Sequence, residues 1–190
     1  MNTPAPKPPR FPPPRSATRG KPKLETDCFV ALDFETADYQ QDSACSLALV
    51  RVENQVIVHR EHRFIRTPRR HFVFSYIHGI TWDQVAKEPT FSELWPQIRG
   101  ILEGTRFIAA HNSSFDANVL RACCHAAAIP PPEQPFLCTV KLARKAWSLR
   151  PTKLPDVCRH LGLSLNHHDA LSDAEACANI VLAAIRQNAF

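Results

Sequence analysis

A short apolar run, Cys28 to Leu32, passes without a spacer into Asp33 and Glu35. A run of this length and kind reads as a buried strand. Residues i and i+2 of a strand project to the same face, so the two carboxylates leave one side of that strand together. Like charges held that close repel each other unless a cation stands between them. No Lys or Arg lies near this segment in the sequence. A divalent ion is the natural partner, and an oxygen-only donor set selects Mg2+ or Mn2+ over zinc. The strand therefore belongs at the centre of a sheet, with a polar pocket at its end.

The rest of the chain supplies the sheet. Residues 46–52 and 56–65 read as two further strands joined by the turn "ENQ", and the second alternates enough to be an edge strand with one wet face. Thr81 can cap a short helix from Trp82. Thr90 and Glu93 form a capping box ahead of Leu94, Ile98 and Ile101. Residues 105–111 predict a fourth strand running into "HNSSFD", and residues 116–128 a helix. Residues 136–140 predict a fifth strand, residues 139–147 and 153–163 two short helices, and residues 169–187 a long final one. Hairpin-linked strands followed by strand–helix alternation predict an α/β fold with a mixed central sheet flanked by helices.

The net charge of +5 misleads. Residues 1–23 hold six of the 23 basic residues, eight of the 17 prolines and no acid, leaving 17 basic against 18 acidic residues in the remainder. Residues 1–23 are expected to be a disordered basic extension, a tether or an electrostatic arm for nucleic acid, and residues 24–190 the folded domain. That domain must meet any polyanion through local chemistry and bound cations rather than a broad basic face. The seven cysteines form no C-x-x-C pair and no export signal is evident, so they are expected to be reduced core residues of a cytoplasmic protein. Cys123, Cys124 and His125 lack the spacing of a zinc site and are read as helix core. No apolar run is long enough to span a membrane.

Two more acids stand in suggestive places. Asp116 follows "HNSSF" at a strand–helix junction, where sites in α/β sheets collect. Asp173 lies near the start of the final helix, with His168 five residues before it at the helix entrance. Singly, each has a plainer reading: a helix cap, a solvated acid, a surface histidine. Together, "DFET", "HNSSFD" and "HDALSD" resemble the three motifs of the DEDDh branch of the DnaQ-like 3′–5′ exonucleases, and "YIHGIT" is similar to the family's intervening segment. The match spans roughly residues 27–187. Within the family the chain is most similar to the proofreading epsilon subunit of bacterial DNA polymerase III and its stand-alone relatives.

The resemblance implies a ribonuclease H-like fold and a metal-dependent 3′–5′ exonuclease releasing nucleoside monophosphates from DNA 3′ ends, in proofreading or repair. It implies that Asp33, Glu35, Asp116 and Asp173 hold two Mg2+ ions, with Mn2+ expected to substitute. Asp33 would bridge the ions, Glu35 and Asp173 would complete one shell, and Asp116 would serve the other. His168 would be the general base. For gripping a single-stranded end, the candidates are Phe34, exposed between the two acids, Tyr76, Ile77 and His78 of the "YIHGI" loop, and Thr36 and Asn112 at the terminal sugar or phosphate. His111 is expected to be a structural hydrogen-bonder. The chain ends soon after its last predicted helix, so the polymerase-binding tail of the replicative subunit is expected to be absent, which weakens the case for a polymerase partner. An RNA-trimming exoribonuclease and a catalytically idle nucleic-acid-binding module on the same fold remain as alternatives.

Overall fold

The computed structural model describes residues 28–189, and the expected disorder of residues 1–23 lies outside them. Five strands order as β3-β2-β1-β4-β5. They are β1 (Cys28–Thr36), β2 (Ala44–Glu53), β3 (Val56–Phe64), β4 (Ile108–Ala110) and β5 (Phe136–Cys138). β1, β2 and β3 pair antiparallel, while β4 and β5 add in parallel on the other side of β1. Asn54 and Gln55 make the β2–β3 turn with φ of 49° and 64°, the doubly left-handed geometry that matches the twist of a tight hairpin. β3 is the sheet edge, as its alternation predicts.

Helices cover both faces. Two single-turn helices, α1 (Ser75–His78) and α2 (Trp82–Val85), follow β3. They lead to α3 (Phe91–Ile98) and a 3-10 turn at Arg99–Leu102. After β4 comes α4 (Ser114–Ala126); after β5 come α5 (Thr139–Trp147), α6 (Leu154–Leu161) and α7 (Ala170–Arg186). The expected capping box is present: Thr90 N–H donates to Glu93 Oε2 at 2.7 Å, closing the first turn of α3. Cys123 and Cys124 are buried in α4, as core residues of that helix.

The period of two along β1 divides the core. Phe29 and Ala31 face a cluster with α5, α6 and α7, whereas Val30, Leu32 and Phe34 face one with α3 and α4. A strand buried on both faces loses the alternation that would mark its wet side. Phe34 is therefore not an exposed platform between the acids. It is 3% exposed and packs on the α3–α4 side, opposite Asp33 and Glu35. Burying such a ring contributes about 1.5–3 kcal/mol. Two strands are shorter than expected: β4 covers 108–110, and β5 stops at Cys138 because Thr139 already opens α5.

Candidate active site

Asp33 and Glu35 continue the Phe29–Ala31 row past the carboxyl ends of β4 and β5, onto the face that α7 crosses. Asp173 sits in the first turn of α7, whose N-cap Asp169 accepts the Ser172 N–H at 2.9 Å. That cap fixes the helix start and so fixes Asp173 over β1. One carboxylate oxygen each from Asp33, Glu35 and Asp173 lie within 4.8 Å of one another. Asp116 arrives from the opposite layer, at the start of α4, and its Oδ1 accepts the Phe34 N–H at 3.2 Å. It is buried and stands outside the tightest group of three, close enough to Asp33 to be the leading charge acting on it after burial.

Burial and mutual repulsion dominate the electrostatics of these acids. Burial, then Asp116, Asp173 and Glu35, push the Asp33 carboxyl far above the usual range. Burial and then Asp173 and Asp116 push Glu35 from 4.5 to about 8. Burial also raises Asp116, against the Phe34 N–H that favours its charged form. Asp173 is raised by burial and held back by His167. Asp173 Oδ1 is buried with no hydrogen-bond partner among the described residues, a costly arrangement unless something cationic meets it. An all-oxygen donor set with one orphaned buried oxygen fits a hard divalent ion.

The sign of the pH effect follows from these shifts. Folded carboxyls hold protons that the unfolded chain releases near pH 4, so their contribution to stability is complete below that pH and is lost as pH rises through about 8. The ion-free protein is expected to melt at lower temperature at pH 8 than at pH 5. Mn2+ should raise the melting temperature more at pH 8 than at pH 5. A thermal-shift series across pH with and without Mn2+ checks this, and an Mn2+ effect that shrinks with rising pH contradicts it.

His168 is exposed at the entrance to α7, with φ of 71°. Its backbone N–H donates to Asp173 Oδ2 at 3.2 Å, and burial and then His167 lower its pKa. His167 has no assigned role in the sequence motif, yet its Nδ1 lies 2.9 Å from Asp173 Oδ2 and its ring stacks on His168 at 3.8 Å. The adjacent pair "HH" is the only sequence trace of this. His111 bridges Thr139 Oγ1 at 2.8 Å and the Thr152 carbonyl at 3.0 Å, a structural role as expected.

The remaining candidates divide. His78 engages both ring nitrogens with backbone, the Thr36 carbonyl at 3.1 Å and the Ile80 N–H at 3.0 Å. It clasps the loop to the end of β1 and has no nitrogen left for a substrate hydrogen bond. Thr36 is buried at the end of β1, the residue 7% exposed. Asn112 is exposed just before α4, with φ of 61°. Tyr76 and Ile77 are exposed on α1. Two further exposed rings stand at this same end of the sheet, Tyr39 in the loop after β1 and Phe115 in the first turn of α4. Tyr39 packs edge-on against Phe74, 4.8 Å between ring centroids, and the Val73 and Phe74 N–H groups donate to the Ala37 carbonyl. Tyr39 and Phe115 carry no sequence signal beyond being aromatic, since the turn after β1 and the placement of α4 set their exposure. A cleft lined by Ser46, His62, Phe64, Ile77, His78, Gln84, His167 and His168 opens beside the acids.

Comparison with known proteins gives a consistent result. The RNase_T model, described as Exonuclease, matches residues 30–181. The DNA polymerase III PolC-type protein of Thermotoga petrophila is 34% identical over 164 residues, covering 84% of this chain and 12% of that protein. The chain thus spans about an eighth of the length of such PolC-type relatives. The DNA polymerase III subunit epsilon of Aquifex aeolicus is 27% identical over 162 residues, covering 81% of this chain and 78% of that one. Among solved structures, Exonuclease X in complex with 5′ overhanging duplex DNA has a TM-score of 0.70 at 25% identity, covering 85% of this chain and 93% of that one. The nuclease domain of 3′hExo, a DEDDh family member bound to rAMP, has a TM-score of 0.76 at 18% identity, covering 88% and 96%, and supports the shared fold.

Proposed function

The chain belongs to the RNase_T exonuclease family, and on that premise we propose that it is a metal-dependent 3′–5′ exonuclease that removes nucleoside monophosphates from DNA ends. The observation that carries the proposal is the convergence of Asp33, Glu35 and Asp173 within 4.8 Å, with Asp116 beside them. A binding module without turnover has no use for four carboxylates crowded into one largely buried site.

In this reading Asp33, Glu35 and Asp173 hold divalent ions, Asp116 completes the set, and Mg2+ with Mn2+ as substitute fits the oxygen donors. Bound there, the ions would supply charge neutralisation at the phosphate and acidify the attacking water. His168, exposed at the site's edge and neutral at pH 7 by its lowered pKa, accepts the water's proton. Water adds to phosphorus, the bond to the 3′-oxygen breaks, and the terminal nucleotide leaves as a monophosphate. Tyr39, Tyr76, Ile77 and Phe115 form an apolar rim on which bases stack without sequence readout. Relatives named as DNA polymerase III components and a neighbour bound to DNA favour DNA as substrate and a replication or repair setting.

A 5′-labelled single strand incubated with the protein and Mg2+ is expected to give a ladder shortened from the 3′ end. A strand left intact with both Mg2+ and Mn2+ refutes the catalytic reading. Matched DNA and RNA oligomers decide the sugar: faster loss of RNA moves the assignment to an exoribonuclease.

A further inference from the structure

We infer that His167, His168 and Asp173 form a second metal site, suited to a zinc-class ion, that overlaps the hard-ion site through Asp173 and shuts hydrolysis down when filled. The inhibitory part rests on the proposed function; the metal site itself rests on geometry. One donor atom each from His167, His168 and Asp173 lie within 4.8 Å of one another. His167 Nδ1 already stands 2.9 Å from Asp173 Oδ2, and the two rings stack at 3.8 Å with 21° between their planes. Consecutive side chains in extended backbone point to opposite sides. The left-handed φ of 71° at His168 breaks that alternation and sets both imidazoles on one side.

The donor chemistry separates the two sites. Asp33 and Glu35 offer oxygen alone, which suits Mg2+ and Mn2+; paired imidazoles with one carboxylate match the open tetrahedral sets that hold zinc. Zinc–ligand bonds of about 2.0–2.1 Å put tetrahedral donors roughly 3.3 Å apart. The donors lie within 4.8 Å, and because an imidazole ligates in its own ring plane, one of the two stacked rings must turn as the donors close on the ion. Both histidines are exposed, so an ion has direct access. Filling the site would take Asp173 away from the hard ions and occupy the imidazole that accepts the water's proton. Low zinc would then compete with an excess of Mg2+ without resembling it chemically.

The test uses the full chain in excess Mg2+, with Zn2+ affinity read by competition with a chromophoric zinc indicator and with Co2+ as the spectroscopic probe. His167→Ala and His168→Ala are each expected to weaken Zn2+ binding about tenfold or more, since loss even of a partner behind a metal ligand costs about 10–100-fold in affinity. Asp33→Asn, which disables the hard-ion site, should leave Zn2+ binding intact. The Co2+ spectrum should show tetrahedral nitrogen and oxygen ligation without thiolate charge-transfer bands. Zn2+ should inhibit Mg2+-supported cleavage in the wild type, and His167→Ala should need about tenfold more Zn2+ for the same fractional inhibition. Thiolate bands, unchanged affinity in both histidine variants, or zinc binding lost in Asp33→Asn overturn the site. Absence of Mg2+-supported cleavage before any zinc is added strikes the nuclease reading instead and leaves the binding result standing.

Discussion

Asp33→Asn is expected to abolish shortening of a DNA strand while raising the melting temperature of the ion-free protein. The two effects have one cause. Asp33 lies on the central strand, and burial together with Asp116, Asp173 and Glu35 disfavours its charged form. The amide keeps the shape and removes the charge. Without ions the folded Asp33 must take up a proton that the unfolded chain releases near pH 4; the amide removes that cost, and about 1–2 kcal/mol shifts the melting temperature of a domain this size by roughly 2–8 °C. With ions it removes the carboxylate best placed to hold them. Metal-ion charge stabilisation is worth several kcal/mol, so the rate should fall about 10³-fold or more. The rise in melting temperature caused by Mn2+ should vanish in the variant. A merely structural acid behaves in the opposite way: its neutral replacement keeps the rate or lowers the ion-free melting temperature. Thermal melts and cleavage rates on the same two preparations separate these outcomes.

How much of this was legible beforehand depends on whether local chemistry or the packed fold decides a residue's surroundings. Asp33 and Glu35 could be read as a pair because strand periodicity alone puts i and i+2 on one face. The start of α7 could be read because Asp169 caps it through a contact three residues away. Phe34 could not. Its neighbours are charged, which suggests a wet strand end, but the α3–α4 layer covers the opposite face of β1, and only the tertiary fold supplies that layer. Nor could His167: two adjacent histidines look alike until the left-handed backbone at His168 brings both rings to one side, with His167 Nδ1 against Asp173 Oδ2. His78 shows the same limit. The lettering places it in the right loop, while its two backbone partners, one of them 42 residues away, determine what it does there. The early ends of β4 and β5 reflect pairing, since only three residues of β5 find partners on β4 before α5 begins.

His168→Asn tests the division of labour between the two imidazoles. Asn is chosen because position 168 has φ of 71°, a region Asn tolerates better than most residues. The backbone N–H that donates to Asp173 Oδ2 survives the change, so the acid stays in place. The side chain is exposed, and such substitutions usually move stability by no more than about 0.5 kcal/mol. Loss of a general base costs about 10²–10⁴-fold in rate, and the loss should fall on kcat rather than KM. The pH profile carries the sharper sign. In the proposed mechanism His168 works when neutral, and burial and then His167 lower its pKa. The wild-type rate should therefore rise with pH through a value below the ordinary 6.5 and level off at neutral pH. With ions bound, the carboxylates stay charged across that range, so this limb belongs to the imidazole. In His168→Asn the limb should disappear and the residual rate should follow hydroxide alone. A variant that keeps both kcat and the limb transfers the base role to His167, whose Nδ1 faces Asp173 while its other ring nitrogen remains free to take a proton.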